Sequence, residues 1–189
     1  KNKISNFIGI YYQFIKTMVW QFMKFKLMAQ ILSLQIQVLM LQVQVLTKKL
    51  EERLAIFKIA QASLGVDISP LDAVNDELGC AESVSWVLRK AIGFPIITGT
   101  WTLNKYLSED PRFERVFEFE PGVIIISPTG TGNGNISGHV GICGEGDNIM
   151  SSDSDNGIWR LNFTQYSWEK RYLKQGGFPI TFYRLKVVV

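Results

Sequence analysis

One cysteine and the only histidine of the chain are the residues whose types and spacing could do chemistry together. Cys80 stands in Leu78-Gly79-Cys80-Ala81-Glu82-Ser83, and His139 follows 59 residues later in Gly138-His139-Val140-Gly141-Ile142. A thiol is mostly protonated at neutral pH. A nearby imidazole can take its proton, and the exposed N–H groups of a helix N-terminus favour the thiolate. If Cys80 is a nucleophile, no imidazole other than His139 can serve it, so the two must meet in space.

Each residue also has a plainer reading. Cysteine is among the most buried residue types and packs as a small hydrophobe. A lone histidine beside Val140, Gly141 and Ile142 reads equally as part of a packed strand. Glycines there let another backbone or a substrate come close. Cys143 falls within the same apolar run and reads as a buried structural thiol.

A third polar group usually orients such a histidine. Glu145-Gly146-Asp147 is a hairpin signal that folds residues 148–153 back on 139–144. If Gly144 pairs with Asn148, His139 lies opposite Asp153, whereas a tighter turn puts Ser152 there. Period-two alternation makes Asp153 and Ser151 the same-face candidates. Asp153 is the choice, because a carboxylate accepts the imidazole N–H and stabilises the imidazolium. Ser151 and Asp155 are the alternatives, and Asp153 also suits a solvated turn.

Other groups have weaker claims. The N–H of Cys80 is one oxyanion donor, and Asn75, in the loop 74–79, is the best-suited side chain for a second. Glu82 is either a substrate contact or a first-turn acid favoured by the helix dipole. Trp101, with Trp86, Trp159 and Trp168, suits a substrate groove, although tryptophans more often pack in cores. The glycine-rich stretch 130–135 lacks the Gly-Lys-Ser/Thr of a phosphate loop and reads as a loop beside His139. With one histidine, two cysteines and no CxxC or HxxxH spacing, no metal site and no cofactor is expected.

The elements that must position these residues follow from periodicity. Cys80 to Ile92 reads as a helix, with Val84, Val87, Leu88 and Ala91 on one face and Gly93 as its stop. A short helix is expected over 100–107. Strands are expected at 116–119, 123–127, 139–143, 148–152, 158–162 and 180–185, with one or two helical turns over 168–173. One helix followed by antiparallel strands is an α+β pattern. The domain carrying them runs over 66–189.

Upstream the chain changes character. Residues 1–47 form an apolar helical segment, and 27–47 carry no charge at all. About twenty such residues span a bilayer as a helix. Gln30, Gln37 and Gln44 recur every seven residues, as do Leu32, Leu39 and Leu46. The segment is therefore a membrane anchor, or an oligomerisation helix through which the chain self-associates. The missing e/g charges favour the anchor. Residues 48–65 read as a separate linking helix. The net charge of +3 comes mainly from the apolar segment and its flanks. No basic block interleaves with exposed aromatics, so nucleic acid is not an expected partner.

The order of motifs resembles a known family. A cysteine at a helix start is followed by Pro121-Gly122-Val123-Ile124-Ile125-Ile126, then by Gly138-His139-Val140-Gly141-Ile142, then by a polar strand after a hairpin. This is similar to the papain-like cell-wall hydrolases, the CHAP and NlpC-type amidases and endopeptidases, including phage endolysins. The resemblance covers residues 78–154. Val123 stands where the family usually has aspartate, and Ala81-Glu82 stands where NlpC-type members usually have Ser-Gly.

The resemblance implies a papain-like cysteine hydrolase fold, α+β, with the nucleophile helix packed on an antiparallel sheet behind the apolar N-terminal segment. It implies Cys80 as nucleophile, His139 as base and peptidoglycan as substrate, without metal or cofactor. It also implies a bacterial or phage-encoded protein at the membrane or cell envelope. Two other functions stay open: a membrane-anchored non-catalytic binding or structural module of the same fold, and a cysteine amidase acting on a soluble peptide.

Overall fold

The computed structural model describes residues 2–69, 79–132 and 137–186. Helix α1 runs over Asn2–Ala62. The expected linking helix is helical over 48–62 and continuous with the apolar segment before it, because no glycine or proline interrupts residues 10–62. Gly65, with φ 85°, follows the last turn. The chain falls into two compact units, one reaching Leu46 and the other starting at Thr47.

In the first unit the apolar side chains of α1 face outward. Trp20, Leu34 and Leu41 are each more than half exposed. By length and composition α1 could cross a membrane, with a mean hydropathy of 1.4 over its most apolar window. The charge-free stretch 27–47 alone rises about 30 Å at 1.5 Å per residue, the thickness of a bilayer's hydrocarbon core.

The second unit is mixed helix and antiparallel sheet. Helix α2 spans Gly79–Ile92 and α3 spans Thr100–Glu109. Strands β1 (Phe113–Val116), β2 (Ile124–Ser127), β3 (His139–Cys143), β4 (Asn148–Ser152), β5 (Trp159–Thr164) and β6 (Thr181–Leu185) follow. Between β5 and β6 lie a single turn, α4 (Gln165–Trp168), and a π-helical turn, Glu169–Gln175. The sheet order is β1-β6-β2-β3-β4-β5, and every pairing is antiparallel.

β1 lies three residues earlier than expected. The alternation over 116–119 imitates a strand, but Phe117 is 95% exposed. The true register is set by β6, where Phe113 pairs with Leu185 and Arg184 bonds Glu114 at 3.0 Å.

Period-two alternation sorts the sheet into two faces. Ile124, Ile126, Val140, Ile142 and Met150 join Val84, Val87 and Leu88 of α2 in one core. The last turns of α1 enter the same core through Ile56, Phe57 and Ala60. Trp159 is fully buried there and its indole donates to the Ala60 carbonyl at 2.8 Å. Burying such a ring is worth about 3 kcal/mol. The opposite face carries Val123, Ile125, Cys143 and Ile149 under Trp168, Tyr172 and Phe178.

Candidate functional site

Helix α2 starts where the chain can bury a small residue. Cys80, Ala81, Val84, Val87 and Leu88 share its inner face, while Arg89 and Lys90 close its last turn. Cys80, the second residue, is 4% exposed. The main-chain N–H groups of Val140, of Ala81 and of Cys80 itself favour its thiolate. Two belong to the helix start and the third to the residue after His139.

The β3–β4 ladder pairs Ile142 with Met150 and Cys143 with Ile149, and goes no further. Continued, the register would set Val140 opposite Ser152. The start of α2 packs on the sheet face that carries Val140, Ile142 and Met150, and a Cβ on Gly79 would lie 3.6 Å from the Ser152 hydroxyl oxygen.

His139 opens β3 opposite Ser127 of β2 and is 5% exposed. Its ring packs among three others. Tyr172 stacks on it at 5.8 Å with 13° between planes, Trp168 lies at 5.4 Å, and Phe163 meets it edge-on at 5.6 Å. Trp168 is itself fixed, because its indole N–H donates to the Ser127 hydroxyl at 3.1 Å. The thiol is near enough to this group that charge on Cys80 acts on the Tyr172 phenol. Among the described residues no hydrogen bond reaches the imidazole.

Gly141 sits between these features for a steric reason. A Cβ there would come within 2.7 Å of the Ile149 side chain and the Met150 carbonyl oxygen. Only glycine lets β4 lie this close to the middle of β3.

The hairpin keeps the register in which Gly144 N–H donates to the Asn148 carbonyl at 2.7 Å. Extended, that register puts Asp153 opposite His139. The Asp153 carboxylate is nevertheless taken by Arg160, at 3.0 Å. Its charge still favours the protonated imidazole, though less than burial and Arg171 oppose it. Ser151 is buried on the same face as His139 and accepts from the Asn162 amide at 3.1 Å. Asp155 lines the cleft described next.

A cleft of about 310 Å³ opens on His139, with Asp153, Asp155, Asn162, Arg171 and Tyr172 around it. Cys80 is not part of its lining. Glu82 is 7% exposed and disfavours the thiolate by its charge, so it does not face this cleft as a substrate contact. Trp101 is 57% exposed on α3, also away from the cleft lining. Trp159 and Trp168 are fully buried and act as packing rather than groove surface. Asn75 lies outside the described residues. Among the described residues no three His, Cys, Asp or Glu side chains gather where they could hold a metal.

Electrostatics set the resting protonation. Burial pushes the Cys80 thiol up to about 11, against the three N–H groups that favour its anion. Burial, reinforced by Arg171, pushes His139 down to about 4. At neutral pH the two are a neutral thiol and a neutral imidazole, not an ion pair. The two side chains pack on opposite faces of the sheet, Cys80 in the core with Val140 and Ile142 and His139 among Phe163, Trp168 and Tyr172, and among the described residues no hydrogen bond joins them.

Sequence reasoning missed Phe163, Tyr172, Arg171 and Arg160. One signal was available: Trp168 and Tyr172 are four apart in a segment read as helical, so they share a face. No protein-family model matches the sequence, and no curated protein matches it.

Proposed function

We propose that this chain is a membrane-anchored cysteine hydrolase of papain-like fold that cleaves an amide bond in the peptide part of peptidoglycan. One observation carries the reading: Cys80 sits in the first turn of α2, where the main-chain N–H groups of Ala81 and of Val140, the residue after the only histidine, favour its thiolate. The motif order around residues 78–154 suggests the substrate, and the exposed apolar surface of α1 suggests the anchor.

In this reading Cys80 attacks the scissile carbonyl as His139 accepts the thiol proton. The Cys80 N–H is placed to stabilise the oxyanion. His139 then returns the proton to the leaving amine, and water hydrolyses the thioester. Asp153 acts on His139 through its charge.

A second reading is favoured by a specific observation. The cleft beside His139 excludes Cys80, which is 4% exposed. A non-catalytic binding module would use that cleft and leave the thiol idle.

The test is to incubate the full chain in detergent with intact sacculi, beside Cys80→Ala, and identify soluble products by mass spectrometry. New peptide ends from the unaltered protein alone establish the hydrolase and name its bond. Retention on sacculi without products from either protein supports the binding module. Cleavage of free peptides with sacculi untouched points to a soluble amidase substrate. Membrane attachment is read separately, by whether the chain stays with membranes after alkaline carbonate washing.

A further inference from the structure

A base needs a partner that holds its ring, and for His139 the carboxylate that could do so is engaged elsewhere, by Arg160 at 3.0 Å. Aromatic rings occupy the space instead. We propose that Tyr172, Trp168 and Phe163 are the positioning residues of His139, fixing the imidazole plane by packing, with Tyr172 and Trp168 receiving its protonated form on their π faces. This rests on the reading of His139 as the base.

The packing is built to be rigid. Trp168 is fully buried and tied to Ser127, the cross-strand partner of His139. Tyr172 is 3% exposed and touches Trp168 at 4.7 Å and Phe163 at 5.7 Å, so the three rings brace one another as well as the imidazole. The local chain explains the placement. Thr164 and Ser167 form a reciprocal cap that starts α4, and the π-helical turn then carries Tyr172 over the sheet beside Trp168. π-Helical turns cost stability and often mark functional positions.

The rings also answer an electrostatic problem. An imidazolium formed during attack would be buried, with Arg171 from the π-helical turn repelling it and Asp153 attracting it. Asp155 lines the same cleft, and the Tyr172 ring stacks on the imidazole at 5.8 Å. Aromatic faces attract a desolvated cation that approaches within about 6 Å of the ring centroid, as the imidazole does at Tyr172 and Trp168.

The single histidine makes the test direct. The full chain, labelled with ¹³C,¹⁵N-histidine in detergent micelles, gives one set of imidazole signals, displaced by the ring currents of its neighbours. Tyr172→Leu is expected to move those signals toward the values of a free histidine. It is also expected to lower kcat about tenfold or more with KM little changed. Tyr172→Phe is expected to restore both, and Asp153→Asn to leave the signals in place. The proposal is overturned if Asp153→Asn displaces the signals, or if Tyr172→Leu leaves them where they were. Should Tyr172→Leu fail to fold, Phe163→Leu at a partly buried ring reads the same displacement. The spectra need no turnover, so a protein inert on every substrate would sink the hydrolase reading and leave this test intact.

Discussion

The main-chain N–H of Val140, the residue that follows His139, favours the thiolate of Cys80. The strand of the proposed base thereby acts on the acidity of the proposed nucleophile through its backbone.

The thiol's resting state predicts its reactivity. With the Cys80 thiol pushed up to about 11, only a small fraction is thiolate at neutral pH. Alkylation by iodoacetamide should therefore rise roughly tenfold per pH unit between pH 7 and 10, since the thiolate is the reacting species. Cys143 is fully buried and raised further, so it does not compete. Mass spectrometry of the modified chain, with Cys80→Ala as control, gives the rate. A flat rate from pH 6 upward would mean a preformed ion pair and would contradict the neutral resting state.

His139 predicts an acid limit. Its folded value, pushed down from 6.5 to about 4, lies below that of the unfolded chain, so the unfolded state takes up the proton first as pH falls. The stability tied to neutral His139 is complete above pH 6.5 and is lost as pH drops toward 4. Its size is at most about 3 kcal/mol. Thermal unfolding of the full chain followed at pH 7, 5.5 and 4.5 should show this decline. The His139→Gln variant should show a shallower one, and equal slopes would refute the assignment.

Gly138 predicts a steric limit just before the base. A Cβ there would run into the Ser127 carbonyl oxygen and the Thr129 amide nitrogen, both backbone atoms that cannot step aside. The Gly138 N–H also donates to the Thr129 hydroxyl at 3.0 Å. Gly138→Ala should destabilise the fold by about 3 kcal/mol. A melting temperature within a degree of the unaltered protein would show that the β2–β3 connection is looser than described.

How much of this was legible in the sequence depended on how local its cause was. Helix α2 and its stop at Gly93, with φ 70°, follow from spacing within fifteen residues. The β3–β4 register follows from a three-residue turn, so the position of Asp153 opposite His139 could be read directly. The diversion of Asp153 to Arg160 could not, because Arg160 reaches it from the next strand. β1 was displaced because its register is dictated by β6, about seventy residues away, while Phe117 and Phe119 supplied a false alternation. The aromatic packing on His139 was invisible for the same reason: it depends on how 165–175 folds over β2 and β3. The early end of the β3–β4 ladder left no mark in any periodicity, since a broken ladder and an intact one share the same pattern of side chains.

The place of β6 in the sheet has a consequence for synthesis. It lies between β1 and β2, yet it is made last. A growing chain therefore holds an open seam beside β2 until residues 181–185 leave the ribosome. Strand β2 can pair with β3 but stays unpaired along its other edge, and β1 has no partner at all. The order of translation thus makes closure of the sheet that carries His139 the last step of assembly, after every other strand and the whole of α1 have been made.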